Sequence, residues 1–332
     1  MSPTFTVLIP AYNVRHYIVD TLNSVFAQTH AEFEVVVIDD GSTDGTWELL
    51  QTIRDPRMRL LRHRNHGVAF TRNCGIREAR GRFIAFLDGD DQWLPCHLKF
   101  AADCLAAEQN LKWYAAPFKY VPEITTEMLA AAVQAGSPQR VSYFGPGNRY
   151  AWSSSTVIER EALLAIMQNG VFFPEDMTHG EDLAAWVRFA ISHPMLGTYH
   201  RLTAYAVQRP DSALGQLKSI GYKNLQMTDQ LAACFSRYAS TLACSENARL
   251  FMQGQLLVRW LIQLRACRLT DWLNVLRDTR PETPWLIRNW VSVYILCVSG
   301  LVNVGGIYIK CLLKINHLRL CRARRSPSAI GE

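Results

Sequence analysis

Phe83-Ile84-Ala85-Phe86-Leu87-Asp88-Gly89-Asp90-Asp91 joins five consecutive apolar residues to an acidic turn. A short apolar run closed by turn residues reads as a strand buried on both faces. The same construction stands upstream. Phe33-Glu34-Val35-Val36-Val37-Ile38 runs into Asp39-Asp40-Gly41-Ser42, and Phe5-Thr6-Val7-Leu8-Ile9 is stopped by Pro10. Met58 to Leu61 supplies a further strand. Between these runs, Ile18, Leu22, Val25 and Phe26 share one helical face. Trp47, Leu50 and Ile53 mark a second helix capped by Thr43 or Asp44, and residues 68–80 read as a third. Apolar strands alternating with helices predict an α/β fold, a Rossmann-like, mostly parallel sheet flanked by helices. Open sheets of this kind bind ligands outside the carboxyl ends of their strands. Tyr12-Asn13, Asp39-Asp40, Asp88 and Asp90-Asp91 are therefore expected to meet in one crevice.

Composition bounds the partners. The 332 residues are 49% hydrophobic and 19% charged, which fits a folded core rather than a disordered chain. The net charge of +6 is uneven: residues 310–332 hold Lys310, Lys314, Arg319, Arg322, Arg324 and Arg325 against Glu332 alone. The body is then close to neutral, and its charge predicts no nucleic-acid partner. The nine cysteines are irregularly spaced with no Cys-x-x-Cys, so the reading is reduced thiols rather than zinc or a disulfide framework. No basic stretch followed by an apolar one opens the chain, and no secretory signal is expected.

The acidic turn at Asp88–Asp91 concentrates carboxylates that repel one another. A hard divalent cation, Mg²⁺ or Mn²⁺, gives such a cluster a purpose, because it takes oxygen ligands from one or two carboxylates, substrate phosphate and water. The plain alternative is a solvated turn. Asp39-Asp40-Gly41-Ser42-Thr43-Asp44-Gly45-Thr46 offers carboxylates able to accept hydrogen bonds from a nucleobase or ribose. Its plain alternative is turn chemistry with helix capping. Both turns follow buried strands of one sheet, which favours the functional reading of each.

In order along the chain stand Val7-Leu8-Ile9-Pro10-Ala11-Tyr12-Asn13, Ser24-Val25-x-x-Gln28-Thr29, Val36-Val37-Ile38-Asp39-Asp40-Gly41-Ser42-Thr43-Asp44-Gly45-Thr46, Asn65-x-Gly67-Val68-x-x-x-Arg72-Asn73-x-Gly75, Ala79-x-Gly81 and Phe86-Leu87-Asp88-Gly89-Asp90-Asp91-x-Trp93. This set resembles the family 2 glycosyltransferases of the GT-A fold over about residues 4–97. A weaker similarity returns at Gly180-Glu181-Asp182 and ends near Ser212.

The resemblance implies a metal-dependent, inverting transfer of a sugar from a nucleotide-diphosphate donor, with a UDP-sugar preferred, to a saccharide or lipid-linked acceptor. On it, Pro10, Ala11, Tyr12 and Asn13 match the first nucleotide-binding segment. Asp40 matches the carboxylate that contacts the base, with Asp39 beside it. Arg72 stands where a nucleotide or phosphate contact is often found. Asp88 and Asp90 match the Asp-x-Asp motif, and Asp90 or Asp91 is the direct ligand of Mg²⁺ or Mn²⁺. Asp182 matches the catalytic base, with Glu181 as a neighbouring contact. Such a base deprotonates the acceptor hydroxyl as it attacks the anomeric carbon from the face opposite the diphosphate. Acidic residues in a helix's first turn are the plain alternative for both. His179 and Arg209 are lesser candidates for acceptor or phosphate contacts, and a loop histidine and a surface turn would serve as well.

The expected organisation is a nucleotide-sugar half over residues 1–115, an acceptor half carrying the base over 116–215, and a helical region over 216–332. Residues 289–309 carry no charge across 21 positions, enough at about 1.5 Å per residue to cross a ~30 Å hydrocarbon layer. Buried helices, an interfacial segment and a span all fit this length. A span would export the basic tail against the positive-inside tendency, so contact with the cytoplasmic membrane surface is expected. The setting implied is cell-surface polysaccharide or glycolipid biosynthesis. Two rivals stand beside it. Another nucleotide enzyme is disfavoured because the chain has neither Gly-x-Gly-x-x-Gly nor a P-loop. A catalytically weak member acting as a membrane-associated partner subunit would be favoured by loss of Asp90 or Asp182, and both are present.

Overall fold

The computed structural model describes residues 3–108, 110–121, 123–130, 136–145, 150–177 and 180–207. The expectations for His179, Arg209, the helical region 216–332, the uncharged run 289–309 and the basic tail lie outside these residues. Among the described residues, no helix is long and apolar enough to cross a membrane.

The elements follow as β1 (Phe5–Ala11), α1 (Ile18–Phe26), β2 (Phe33–Asp40), α2 (Thr46–Leu50), β3 (Met58–His63), α3 (Val68–Glu78), β4 (Phe83–Phe86), β5 (Asp91–Trp93), α4 (His97–Ala107), β6 (Trp113–Ala115), β7 (Phe118–Val121), α5 (Thr126–Ala130), β8 (Gln139–Ser142), β9 (Thr156–Glu159), α6 (Arg160–Ile166), α7 (Glu181–Ser192), β10 (Met195–Thr198) and β11 (Ala204–Val207). Among the described residues they form an eight-stranded sheet, ordered β3-β2-β1-β4-β9-β6-β10-β8, and a small sheet ordered β5-β11-β7.

The first four strands of the large sheet pair in parallel, as the alternation predicts. Beyond them the sheet is mixed: β9 runs antiparallel to both β4 and β6, and β8 antiparallel to β10. Alternate residues of each central strand enter opposite cores. Val7, Ile9, Val35 and Val37 pack with Ile18, Leu22, Leu98 and Leu105 of α1 and α4. Leu8, Val36, Ile38 and Phe86 pack with Ile76, Trp186 and Phe189 of α3 and α7.

Two local expectations shift. Pro10 does not stop β1, which pairs on to Ala11 opposite Asp39. The Leu8 carbonyl accepts the Leu87 N–H, so even-numbered residues of β1 face β4. The β4 ladder ends at Leu8–Phe86, and the N–H that Pro10 lacks has no strand partner to satisfy there. Trp152 to Ile158 reads from its residues as a strand, and its first part is instead a 3₁₀ turn at Ser153–Ser155. The Ser155 hydroxyl donates to Tyr150 O and the Thr156 hydroxyl to Trp152 O, both at 2.6 Å, and these local bonds compete with strand pairing.

Candidate active site

Parallel pairing of β1, β2 and β4 brings their carboxyl ends to one edge, each carrying polar residues. Pro10, half-buried, and Ala11, buried, end β1, and the Tyr12 ring stands 47% exposed beyond them. Much of the Asp39–Thr46 motif holds this edge together. Asn13 N–H donates to the Ser42 hydroxyl at 3.0 Å, and its Oδ1 accepts the Thr43 N–H at 2.9 Å. Val14 N–H donates to the Thr46 hydroxyl, and Arg15 N–H to the Asp44 carboxylate, each at 3.0 Å. Ser42, Thr43, Asp44 and Thr46 thus clamp the loop after β1 to the loop after β2.

Asp39 and Asp40 are both buried. Asp40 accepts the His66 and Gly67 N–H groups at 2.8 and 2.9 Å, with His63 Nδ1 at 3.2 Å. It therefore anchors the start of α3, the helix that carries Arg72 and Asn73. Asp39 Oδ2 receives Arg62 Nε at 3.1 Å and the Ser42 N–H, while its Oδ1 has no hydrogen-bond partner. An orphaned carboxylate oxygen retains acceptor capacity, and burying it costs about 1–3 kcal/mol or more until it is met.

The acidic turn packs onto β1: a Cβ on Gly89 would lie 3.1 Å from Pro10 O, so only glycine allows this approach without a shift. Ser154 fixes the turn from the far side of the fold. Its hydroxyl oxygen accepts the Asp88 N–H at 3.0 Å, its O–H donates to the Asp91 carboxylate, and its carbonyl accepts Trp93 Nε1 at 2.6 Å. Asp91 is buried; Asp88 and Asp90 are half-buried.

Arg72 joins this turn to α7. One arm of its guanidinium donates to Asp88 Oδ1 at 2.7 Å, the other to Glu181 Oε1 at 2.9 Å, and the group lies 5.3 Å from the Phe173 ring centre. Burial by itself disfavours the cation, but Asp88 and then Glu181 outweigh it and hold Arg72 above its ordinary range. Glu181 moves the opposite way to an ordinary ion-paired carboxylate. Burial, then the adjacent Asp182, push its pKa up against the pull of Arg72. One guanidinium shared among three carboxylates does not compensate the burial of Glu181, so the upward direction holds.

Gly180 caps α7 with a left-handed φ of 77°, where a side chain would be strained, and so presents Glu181 and Asp182 on the first helical turn. Asp182 is half-buried, and its Oδ1 accepts the Leu183 N–H at 2.7 Å. Asn73 secures the segment leading to α7. Its Nδ2 donates to Phe173 O and Glu175, and its Oδ1 accepts the Phe172 and Phe173 N–H groups. Tyr120, on β7, borders the whole cluster. Burial raises its hydroxyl well above the usual tyrosine range, and Asp91, Asp88, Asp182 and Asp90 each add to the rise.

The structure thus brings Arg72, Asp88, Asp90, Asp91, Glu181 and Asp182 into one site beside the loops of Tyr12, Asn13, Asp39 and Asp40. Ser154, Asn73 and Tyr120 are additions that sequence reasoning missed. Asn73 was legible only as the neighbour of Arg72 in the quoted motif. Ser154 lies in an unremarkable Ser-Ser-Ser-Thr run, and Tyr120 in an irregular stretch, with no local pattern to mark either.

Comparison with known proteins agrees with this architecture. The profile of Glycosyl transferase family 2 matches residues 6–111. The Escherichia coli protein UDP-Glc:alpha-D-GlcNAc-diphosphoundecaprenol beta-1,3-glucosyltransferase WfgD is 30% identical over 185 residues, 55% of this chain and 68% of that one. The putative teichuronic acid biosynthesis glycosyltransferase TuaG of Bacillus subtilis is 44% identical over 95 residues, 28% of this chain; the match spans only 38% of TuaG. Residues 1–349 of S. aureus TarS, solved with UDP-GlcNAc, superpose with a TM-score of 0.65 at 22% identity, covering 83% of this chain and 80% of that one. The chain belongs to glycosyl transferase family 2, and its fold is GT-A.

Proposed function

We propose that this protein transfers a sugar, with inversion, from a UDP-sugar to a hydroxyl of a saccharide or lipid-linked acceptor, in the building of a cell-surface polysaccharide or glycolipid. The observation that carries the reading is the pair of ion-paired hydrogen bonds that Arg72 donates to Asp88 and Glu181, which holds the acidic turn after β4 against the carboxylates that open α7. The relative WfgD is named for a UDP-glucose donor and a GlcNAc-diphospholipid acceptor, so these are the first substrates to try here.

The residues divide the work by burial and partner. Glu181 is buried and bonded to Arg72, so it is ill placed to meet an acceptor; Asp182 beside it is half-buried and takes the role of base. Asp182 accepts the acceptor's hydroxyl proton. The oxygen's electron pair forms the bond to the anomeric carbon, the bond from that carbon to the diphosphate breaks from the opposite face, and its electrons leave on the phosphate oxygen. Tyr12, Asn13, Asp39 and Asp40 belong to the nucleoside end. Asp39, with its unpaired Oδ1, retains acceptor capacity for a base N–H, whereas both oxygens of Asp40 already hold the start of α3.

The donor set of the acidic turn is carboxylate oxygen throughout, which suits a hard dication. Among the described residues no three His, Cys, Asp or Glu side chains form a ready-made metal cage. Mg²⁺ is commonly held by one or two carboxylates plus substrate phosphates, which is what Asp90 and Asp91, with Asp88 beside them, can offer. When bound, Mg²⁺ or Mn²⁺ supplies neutralisation of the charge that develops on the leaving diphosphate. Ser154 holds the turn in shape for that purpose.

We keep as part of the proposal a nucleotide-sugar half over 1–115, an acceptor half over 116–215, a helical C-terminal region over 216–332, and attachment at the cytoplasmic membrane surface. The test is UDP release from UDP-glucose and other nucleotide sugars with Mn²⁺ or Mg²⁺, against EDTA and Asp182→Asn. Metal-dependent release from one donor, lost in the variant, supports the reading. No release and no donor binding by calorimetry would replace it with a non-catalytic partner subunit.

A further inference from the structure

The cluster of carboxylates has an aromatic wall that the transfer chemistry leaves unused. Phe118 and Tyr120 stand two residues apart on β7 and so share a face. Trp152 completes the group: its ring centre lies 4.6 Å from that of Phe118 and 6.3 Å from that of Tyr120, nearly perpendicular to the latter at 88°. Phe118 and Tyr120 are themselves 5.1 Å apart. The three rings are half-buried or more open, and Trp152 keeps 39% of its surface in solvent.

The wall is fixed to the site. Trp152 O accepts the Thr156 hydroxyl, and Trp152 N–H donates to Tyr150 O at 3.0 Å. Two residues further on, Ser154 grips both Asp88 and Asp91. On the other side Tyr120 and Asp91 both pair with Ala206 of β11, so they flank one strand. Phe118 and Tyr120 belong to the small sheet, whereas Tyr12, Asn13, Asp39 and Asp40 sit at strand ends of the large one.

We propose that Phe118, Tyr120 and Trp152 form a stacking platform for the pyranose ring of the acceptor saccharide. The proposal rests on the transferase reading and names the acceptor subsite of that same centre. A pyranose has one face lined with C–H groups and a rim of hydroxyls. Aromatic rings present a negative face to those C–H groups, and the neighbouring carboxylates accept from the rim. Open apolar surface beside convergent polar groups is the usual make-up of a site for such a ligand. With the nucleoside-end residues on the large sheet and Tyr120 beside the carboxylates that include Asp182, the platform belongs to the acceptor rather than the nucleoside.

The test uses the full chain with UDP-glucose as donor and undecyl-diphospho-N-acetyl-α-glucosamine as acceptor probe. Trp152→Ala is expected to raise the probe's KM about tenfold, with Trp152→Phe closer to wild type and the UDP-glucose Kd by calorimetry unchanged in both. An unchanged KM in Trp152→Ala would overturn the platform, as would an effect confined to UDP-glucose binding. Undecyl diphosphate without the sugar is the control: if Trp152→Ala weakens its inhibition as much as it weakens the probe, the wall holds the alkyl chain and the proposal falls. A readout independent of turnover is the 5-fluorotryptophan resonance of Trp152, assigned by Trp152→Phe. A shift on titration with the probe supports stacking, and no shift at saturation removes it. Failure of the transferase reading shows differently, as wild-type protein that releases UDP from no donor.

Discussion

Arg72 and Glu181, 109 residues apart in sequence, are joined by a 2.9 Å hydrogen bond in a site where Arg72 retains 4% of its surface in solvent. The same guanidinium reaches Asp88 at 2.7 Å, so one buried cation ties α3, the acidic turn and α7 together. Removing one partner of a buried pair leaves charge uncompensated. Arg72→Ala is expected to cost about 3–5 kcal/mol of stability. Arg72→Lys should recover only part of this, because an ammonium cannot serve both carboxylates in the planar fork geometry. Urea denaturation of the two variants checks the order; equal stability of wild type and Arg72→Ala would show that the pair carries no structural weight.

Glu181 gives a pH signature. Its carboxyl is raised above the ordinary 4.5, chiefly by burial and then by Asp182. The folded protein therefore holds this proton more tightly than the unfolded chain. The resulting stability is fully present below the unfolded value and is lost as pH rises through the folded one. Glu181→Gln cannot titrate, so the stability of wild type relative to the variant should fall between about pH 4.5 and the raised folded value. Denaturation curves at several pH values would test this, and a pH-independent difference would contradict it.

Asp182→Asn keeps the shape of the side chain and removes its basicity. Transfer should drop by about 10²–10⁴-fold, the usual worth of a positioned general base, with donor Kd near the wild-type value. Comparison of kcat with calorimetric donor binding separates the two effects. Unimpaired kcat in the variant would move the base elsewhere.

Ser154→Ala leaves the Asp88 N–H without its acceptor and the Asp91 carboxylate without its hydroxyl donor. The expected cost is about 1–3 kcal/mol of stability for a buried polar group left unsatisfied. Because the acidic turn would also loosen, donor binding in the presence of Mn²⁺ should weaken more than binding of UDP without metal. Parallel losses in both would mean that Ser154 supports only the fold.

The local order of this chain is legible without its structure. Continuous apolar runs, helical stripes and turn residues are short-range signals, and they place β1 through β4, three helices between them and the carboxylates at the strand ends. The acidic first turn of α7 is legible for the same reason. The Asp39–Thr46 motif, by contrast, reads locally as carboxylates waiting for a ligand. Its Ser42, Asp44 and Thr46 side chains are committed to the neighbouring loop, which only the parallel pairing of β1 with β2 brings within reach.

Residue order alone specifies the alternation of strands and helices and the chemistry gathered at their ends. The tertiary structure decided the partners: Arg72 between Asp88 and Glu181, Ser154 beneath the acidic turn, Asn73 on the approach to α7, and β9 inserted antiparallel beside β4. Hydrogen bonds and ion pairs between distant residues depend on how elements pack. A residue type and its near neighbours carry no record of which side chain will arrive from 16 positions away or from more than 100.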